Sequence, residues 1–382
     1  MSDRTYIIDT LQKLIRINSV NPELETTGPG EEEIGKYISD ELSALGVDVE
    51  IQEVQPGRFN VIGIISGSGG GKSLMLNAHM DTVGVSGMQN PFSGKIENGR
   101  LYGRGSYDMK GSIAAILATA KKLTEKNIRL SGDLILSFVV DEEFESIGAR
   151  ELVKKYKTDS AIVTEPSDLN VCLAHRGFGV FKIVTHGKIA HGGKHREGID
   201  ANLKMGLILA ELNQLANQLP DRKKHALCGE ASLHVPLIEG GKSLFIYSDE
   251  CTAHIERRTL PGESESEVLG EFEQILQKCK ANDEPLRTTV ESVIWRNPYE
   301  IERDRPIVQS LMKSAQNQTG RNPKFIGHTW WEDSAIFGQA DIETVIFGPK
   351  GGGIHEETEW VEIDSVVQLS DVLWDVVFGY CK

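Results

Sequence analysis

The chain has 382 residues, of which 39% are hydrophobic and 25% are charged, so two globular domains are more natural than a single core. Its formal net charge of −15 at pH 7 opposes binding to nucleic acid or to an anionic membrane surface. No apolar run approaches the roughly 18 residues that a membrane helix needs. With nucleic acid and membranes both disfavoured, the expected partners are small molecules.

The cysteines and the first residues indicate the compartment. The five cysteines are odd in number, scattered and never in a CxxC spacing, which argues against both a disulfide framework and a thiolate zinc site. Met1–Thr5 leads directly into a helical pattern, without the apolar region and cleavage site of a signal peptide. The sequence therefore predicts a cytoplasmic protein with reduced thiols.

The first 177 residues alternate predicted helices and strands, assigned from apolar periodicity. The helices are expected at 4–17, 31–45, 112–126 and 148–156, and the strands at 47–54, 60–65, 73–78, 134–140 and 160–164. The glycine-rich residues 66–72 are interpreted as a hairpin turn, because a phosphate-binding loop would need glycine at position 66. The alternation predicts an α/β fold whose largely parallel sheet is covered by helices on both faces.

Acidic residues follow two of these strands. Strand 134–140 leads into Asp141, Glu142 and Glu143, which repel one another and are costly to bury unless paired or bound to metal. Glu165 follows strand 160–164, at the strand end where open α/β sheets carry ligands. Each acid alone could belong to a solvated loop after a strand. A metal site explains the acids together, if two of the three adjacent acids face it.

Three further residues are of metal-binding type. His79 and Asp81 lie two residues apart on an extended chain, so Asp81 can orient the ring while its other nitrogen binds metal. Asp108 precedes a predicted helix, where aspartate is also a common N-cap. His355 lies in a glycine-rich loop, and such loops often carry functional residues.

From about residue 178 the order of elements changes to strand, helix, two strands, helix and strand. These elements are expected at 178–185, 201–218, 232–239, 244–256, 265–281 and 286–295. The βαββαβ order predicts a ferredoxin-like domain at 178–292, inserted into a domain formed by 1–177 and 293–382. His191 lies in a polar loop of the insertion, where an ordinary loop histidine is also plausible.

The ligand-type residues together predict a site for two metal ions. His79, Asp108 and Glu165 could hold one ion, and Asp108, Glu143 and His355 the other, with Asp108 as the bridge. Such ligands suit Zn²⁺ best, with Co²⁺ or Mn²⁺ as alternatives. The sequence contains neither His-Glu-x-x-His nor Gly-x-Ser-x-Gly, which excludes a zincin helix and the commonest serine-hydrolase motif.

These motifs resemble the di-zinc metallopeptidase and deacylase family that includes acetylornithine deacetylase, succinyl-diaminopimelate desuccinylase, aminoacylase and glutamate carboxypeptidase. The motifs are His79-Met80-Asp81, Gly103–Gly111, Asp141-Glu142-Glu143, Glu165-Pro166 and the His355 loop. The resemblance spans nearly the whole chain, and Glu256–Gly262 is most similar to acetylornithine-deacetylase-like members. It implies a catalytic metal-binding domain and an inserted lid through which two subunits form a homodimer.

The resemblance also implies individual roles. Glu142 would be the general base, and Asp81 would orient the ligand histidine before it. His191 would reach the active site of a neighbouring subunit, and Arg258 would bind a substrate carboxylate. Many relatives have Asn and Pro where this chain has Phe245–Ser248, so the substrate contacts usually made there are not implied.

The expected function is hydrolysis of an amide bond in an N-acyl amino acid or a close analogue. Glu142 would move the proton from water to the leaving amine, and the metal and His191 would stabilise the oxyanion. One alternative keeps the site but acts on a dipeptide or a C-terminal peptide bond. Another alternative is a non-catalytic binding protein. Such a protein should have lost the general base or a metal ligand, whereas Glu142 and all five predicted ligands are present in this sequence.

Overall fold

The structure is a computed structural model, and it describes residues 3–283 and 285–382. The chain divides into two compact units. The first unit is formed by Met1–Leu173, Ile301–Ile326 and Glu332–Lys382, and the second by Ala174–Glu300 and Gly327–Trp331.

Helices and strands alternate through much of the chain. The α-helices of the described residues are α1 (Asp3–Arg16), α2 (Glu32–Ala44), α3 (Gly111–Glu125), α4 (Ile147–Lys155), α5 (Ala201–Arg222), α6 (Glu265–Asn282), α7 (Pro306–Thr319), α8 (Ser334–Gln339) and α9 (Ile363–Tyr380). The strands are β1 (Asp48–Gln55), β2 (Arg58–Ile65), β3 (Leu74–His79), β4 (Lys95–Glu97), β5 (Arg100–Tyr102), β6 (Leu134–Val139), β7 (Ser160–Val163), β8 (Val171–His175), β9 (Gly177–His186), β10 (Lys224–His225), β11 (Gly229–Glu230), β12 (Ser232–Gly240), β13 (Glu250–Thr259), β14 (Arg287–Arg296), β15 (Tyr299–Glu300), β16 (Phe325–His328), β17 (Glu343–Ile346), β18 (Gly351–Gly352) and β19 (Trp360–Glu362).

The main sheet of the first unit has the strand order β1-β2-β6-β3-β7-β17-β8. Its four central strands, β6, β3, β7 and β17, are parallel neighbours, and antiparallel pairings flank them on both sides. Every residue of β3 and β6 is buried, as expected for strands covered on both faces. The predicted α/β class is therefore confirmed, and the parallel part of this mixed sheet is its centre.

The hairpin predicted around residues 66–72 is wrong. β6 lies between β2 and β3, antiparallel to the first and parallel to the second. The glycine-rich segment bonds instead to residues just before β6, since Gly67 N donates to Asp133 Oδ1 at 2.8 Å and Ser68 N donates to Leu130 O at 2.9 Å. The composition of a turn predicts a bend in the chain, but hydrogen bonds with distant residues determine which strand lies next to β2.

The parallel pairing of β3, β6 and β7 determines where their ends lie. His79 pairs with Val139 in register, so the end of β3 is level with the start of the acidic segment after β6. The end of β7 lies on the other side of β3. The carboxyl ends of these strands therefore meet at one edge of the sheet, where α/β proteins carry ligands.

The second unit contains β9, α5, β12, β13, α6 and β14 in chain order. Its antiparallel sheet has the order β12-β13-β9-β14, and buried side chains of α5 and α6 join Phe181 in its core. The strand predicted at 244–256 begins only at Glu250. Leu244 and Phe245 precede it and are 93% and 75% exposed, so their apolar side chains do not form the buried face that the sequence pattern predicts. The function of this unit as a lid and dimerisation domain stays a prediction.

No helix within 3–283 and 285–382 combines the length and the apolar character needed to cross a bilayer.

Candidate metal centre

The predicted ligands all belong to the first unit and lie at strand ends or in adjoining loops. They are His79 at the end of β3, Asp108 before α3, Glu143 after β6, Glu165 after β7 and His355 between β18 and β19. The convergence of three parallel strand ends explains why residues far apart in sequence meet here.

His79 contacts acidic residues through both ring nitrogens. Nε2 lies 3.0 Å from Asp108 Oδ1 and 3.5 Å from Glu165 Oε1. Nδ1 lies 3.0 Å from the backbone oxygen of Asp81 and 3.5 Å from its Oδ1. Asp81 thus contacts the ring mainly through its carbonyl, and Nε2 is directed towards the carboxylates, as in histidines that bind metal.

Asp108 lies between the two histidines. Its Oδ1 faces His79 Nε2, and its Oδ2 lies 3.2 Å from His355 Nε2. His355 Nε2 is also 3.2 Å from Glu143 Oε2. Asp108 is not a helix cap, because α3 begins at Gly111 and its N-cap residue is Lys110. The two oxygens of one carboxylate therefore face two imidazoles, an arrangement compatible with a bridging ligand.

The carboxylates of the site are crowded. Burial raises the pKa of Glu142 and of Glu165 well above the usual range, and the negative charges of neighbouring acids raise both further. Burial and the charge of Asp108 also raise the pKa of Glu143. Burial acts in the same direction on Asp108, but hydrogen bonds from His355 and His79 hold its pKa below the usual range. Burial and the neighbouring acids therefore oppose the ionisation of three of these four carboxyl groups.

The acidic surroundings also raise the pKa of both histidines. Burial alone would lower the pKa of His79, but Glu165 and Asp108 outweigh it and raise that pKa well above its usual range. Hydrogen bonds to Asp108 and Glu143 raise the pKa of His355 to about 10. Both shifts have the same cause, which is the carboxyl groups that lie beside the two rings.

The donor atoms fit divalent metal ions. Two groups, His79 with Asp108 and Glu143, and His79 with Glu142 and Glu165, each present ligand atoms within 4.8 Å of one another. Glu143 Oε1 is buried and has no hydrogen-bond partner in the described part of the chain, so it remains available to a cation. Glu142 belongs to the second group, so its position fits a ligand as well as a base.

Asp81 also holds the acidic segment, which the sequence does not indicate. Its carboxylate accepts hydrogen bonds from the backbone N–H groups of Glu142 at 3.1 Å and Glu143 at 3.2 Å. Asn21 Nδ2 donates to Asp81 at 2.8 Å and to Asp141 at 3.0 Å. Asn21 belongs to no motif, and only the fold places it beside residues 60 and 120 positions later in the chain.

Asp141 has other partners than the predicted ligands. Its Oδ1 pairs with Arg58 at 2.9 Å and accepts from Asn21, and Arg58 also pairs with the buried Glu31. Two of the three consecutive acids therefore remain for the site.

His191 and Arg258 belong to the second unit. The Gly193 N–H donates to His191 Nδ1 at 3.1 Å, so the proton of the neutral ring lies on Nε2, which is then a donor. Arg258 Nε donates to Glu256 Oε1 at 2.5 Å, and its guanidinium lies 5.0 Å from the Phe178 ring centroid. The catalytic role of His191 and the substrate-binding role of Arg258 stay predictions.

Comparison with known proteins identifies the family. The sequence model of peptidase family M20/M25/M40 matches residues 75–378. The chain is 28% identical over 407 residues to an N-formyl-4-amino-5-aminomethyl-2-methylpyrimidine deformylase of Bacillus subtilis, covering 98% of this chain and 95% of the relative. It is 27% identical over 386 residues to an acetylornithine deacetylase of Erwinia tasmaniensis, covering 98% and 97%.

A solved structure shares the fold of this chain. The crystal structure of YxeP from Bacillus subtilis, a dinuclear metal-binding peptidase of the M20 family, matches with a TM-score of 0.76 at 17% identity, covering 99% of this chain and 98% of that one. Because the family model covers most of the sequence, the chain belongs to peptidase family M20/M25/M40, which confirms the family predicted from its motifs.

Proposed function

We propose that the protein is a metal-dependent amidohydrolase that removes the N-acyl group from an amino acid or a close analogue. The observation that carries this proposal is the convergence of two imidazoles on a shared carboxylate, with Nε2 to oxygen distances of 3.0 and 3.2 Å, in a member of a hydrolase family. The deformylase and deacetylase among the relatives support acyl removal as the reaction.

Two divalent ions are proposed, most suitably Zn²⁺, with Co²⁺ or Mn²⁺ as alternatives. His79, Asp108 and Glu165 would hold one ion, and Asp108, Glu143 and His355 the other. When bound, such ions polarise a carbonyl and make a water more acidic. The likeness to a dinuclear peptidase supports the number of ions.

Glu142 is the proposed general base. Its carboxylate accepts a proton from the attacking water and later donates it to the nitrogen of the leaving amine. The hydrogen bond from its backbone N–H to Asp81 Oδ1 holds the segment that carries it. His191 is proposed to donate Nε2–H to the developing oxyanion, and the tautomer set by Gly193 supports this role.

Arg258 is proposed to bind a substrate carboxylate. Glu256 accepts from Nε, so an end-on pair through Nη1 and Nη2 leaves that bond intact, with the bidentate geometry that arginine offers and lysine lacks. A second candidate substrate is an N-acyl amine without a carboxylate. It is favoured by the relative named for an N-formyl aminomethylpyrimidine and by the ion pair that already engages Arg258.

A homodimer formed through the second unit is also proposed. Leu203 and Leu207 on α5 and Leu237 and Ile238 on β12 are exposed apolar residues, and β12 is an edge strand, a feature that invites pairing with another chain. A cytoplasmic location remains a prediction from the sequence.

A substrate panel tests the function. The metal-loaded enzyme is assayed with N-acetyl and N-formyl amino acids, their methyl amides, an N-formyl amine without a carboxylate, and dipeptides. We expect kcat/KM for the free acids to exceed that for the methyl amides by about 10- to 100-fold, the effect of one charged hydrogen bond. Arg258→Lys should reduce that preference, because lysine keeps the charge but cannot form the bidentate pair. The control Arg222→Lys, at an exposed arginine of the same unit, should preserve it.

The panel also distinguishes the alternatives. Equal turnover of acids and amides would exclude the carboxylate clamp and favour the N-acyl amine. Hydrolysis of dipeptides alone would identify a peptidase. Absence of hydrolysis with Zn²⁺, Co²⁺ and Mn²⁺ would reject the amidohydrolase.

A further inference from the structure

Glu359 is a buried carboxylate without a role in the predicted site. It lies four residues after His355, and only 1% of its surface is exposed. Burying a carboxylate is costly unless donors replace the lost water. Its donors therefore show what the residue holds in place.

Within the described part of the chain, the donors to its side chain all come from residues 104–108. Glu359 Oε2 accepts from Arg104 Nη1 at 2.8 Å and from Gly105 N at 2.8 Å. Oε1 accepts from Tyr107 N at 2.8 Å and from Asp108 N at 3.0 Å. Three backbone N–H groups thus turn towards one carboxylate, as in the nests that bind anions.

The local backbone suits this arrangement. Gly105 has φ of +78°, and a Cβ atom there would lie 2.7 Å from Thr82 Cγ2, so the segment requires glycine at this point. Further hydrogen bonds join the same two parts of the chain, from Gly103 N to Glu359 O at 3.1 Å and from Arg104 Nη2 to Glu356 O at 3.1 Å.

The two joined segments each carry a predicted ligand. Asp108 ends the segment that surrounds the Glu359 carboxylate, and His355 begins the other, with 3.2 Å between Asp108 Oδ2 and His355 Nε2. We propose that Glu359 is a positioning residue that sets the Asp108 carboxylate against His355 and so determines metal affinity. The inference rests on the proposed function, because it assumes that these two residues bind metal.

Glu359→Gln tests the inference with little change in size. The amide replaces one acceptor oxygen by an NH₂ group that faces N–H donors, so at least one backbone donor loses its partner. Residues that orient metal ligands typically change metal affinity by about 10- to 100-fold when mutated. We expect a loss of that size for Glu359→Gln and a smaller one for Glu359→Asp, which keeps the charge.

The control is Glu356→Gln, the same substitution on an exposed side chain of the same loop, whose backbone carbonyl stays in place. Zn²⁺ is titrated calorimetrically into each metal-free protein, and its thermal unfolding is recorded separately. At saturating Zn²⁺ we expect most of the kcat of Glu359→Gln to return with KM unchanged.

The outcomes are distinct. Zn²⁺ affinities of Glu359→Gln and Glu359→Asp within about twofold of the unmutated protein, with only the unfolding temperature lowered, would overturn the inference and leave a structural role. If Glu359→Gln does not fold, the affinity of Glu359→Asp decides in the same way. An unmutated protein that hydrolyses the amides without binding Zn²⁺, Co²⁺ or Mn²⁺ overturns the metal proposal and this inference together.

Discussion

Adjacent residues with the same side chain have different surroundings in the acidic segment after β6. Glu143 Oε2 lies 3.2 Å from His355 Nε2, whereas Glu142 groups with His79 and Glu165. Asp81 accepts from the backbone N–H of both glutamates. The backbone is therefore held in common, and any functional difference between the two residues comes from their carboxylates.

Truncation of Glu142 and of Glu143 to alanine distinguishes a general base from a metal ligand. Glu142→Ala should retain both metal ions and lose most turnover, by about 10²- to 10⁴-fold for a general acid–base residue. Glu143→Ala should lose metal affinity, because it removes a proposed ligand. Metal content per chain and single-turnover rates check both expectations, and loss of a metal ion from Glu142→Ala would assign that residue as a ligand instead.

At the scale of elements, the second unit shows how local sequence stabilises a helix. Ser264 precedes α6, its Oγ accepts from Glu267 N at 3.4 Å, and Glu267 Oε2 accepts from Ser264 N at 2.8 Å. This reciprocal capping box satisfies two N–H groups that a helix start leaves without partners. α6 in turn places Val268, Phe272 and Leu276 in the core of the unit.

Removal of this cap has a measurable effect on stability. Ser264→Ala should lower the free energy of unfolding by about 1 kcal/mol, the typical value for an N-cap. Gln277→Ala, at an exposed position of the same helix, should change it by less than about 0.5 kcal/mol. Urea denaturation measures both, and equal effects would show that the cap contributes nothing. Metal content should stay unchanged, since the predicted ligands belong to the first unit.

At the scale of the whole molecule, the proposed homodimer allows His191 and Glu142 to be removed from different subunits. If His191 acts in the active site of the neighbouring subunit, a mixed dimer of Glu142→Ala and His191→Ala protomers contains one site with both residues intact. Random mixing of two inactive variants should then restore about a quarter of the unmutated activity, since half of the dimers are mixed and each has one intact site.

A second mixture provides the control. Glu142→Ala mixed with Glu143→Ala should restore nothing, because both residues belong to the first unit of one chain and no site then has both. Absence of recovery in mixed dimers verified by mass spectrometry would show that His191 acts within its own chain or has no catalytic role. A protein that sediments as a monomer would contradict the dimer itself.

Much of the fold follows from local patterns. Apolar periodicity predicts strands at the positions of β3, β6 and β7, and the acids after them follow directly from the order of residues. The βαββαβ order of the second unit is likewise visible in the sequence. α9 is absent from the predicted helices, although its buried residues recur at helical spacing, so a local signal for it exists.

Long-range pairing decides the rest. The position of β6 between β2 and β3 depends on hydrogen bonds between strands, which turn composition does not encode. Asn21 meets Asp81 and Asp141 across 60 and 120 residues, and Glu359 receives four hydrogen bonds from residues more than 250 positions earlier. Metal-ligand residue types are recognisable one by one because their chemistry is local to each side chain. Asn21 and Glu359 have no such signal, because their roles exist only once the folded chain has brought a donor and an acceptor together.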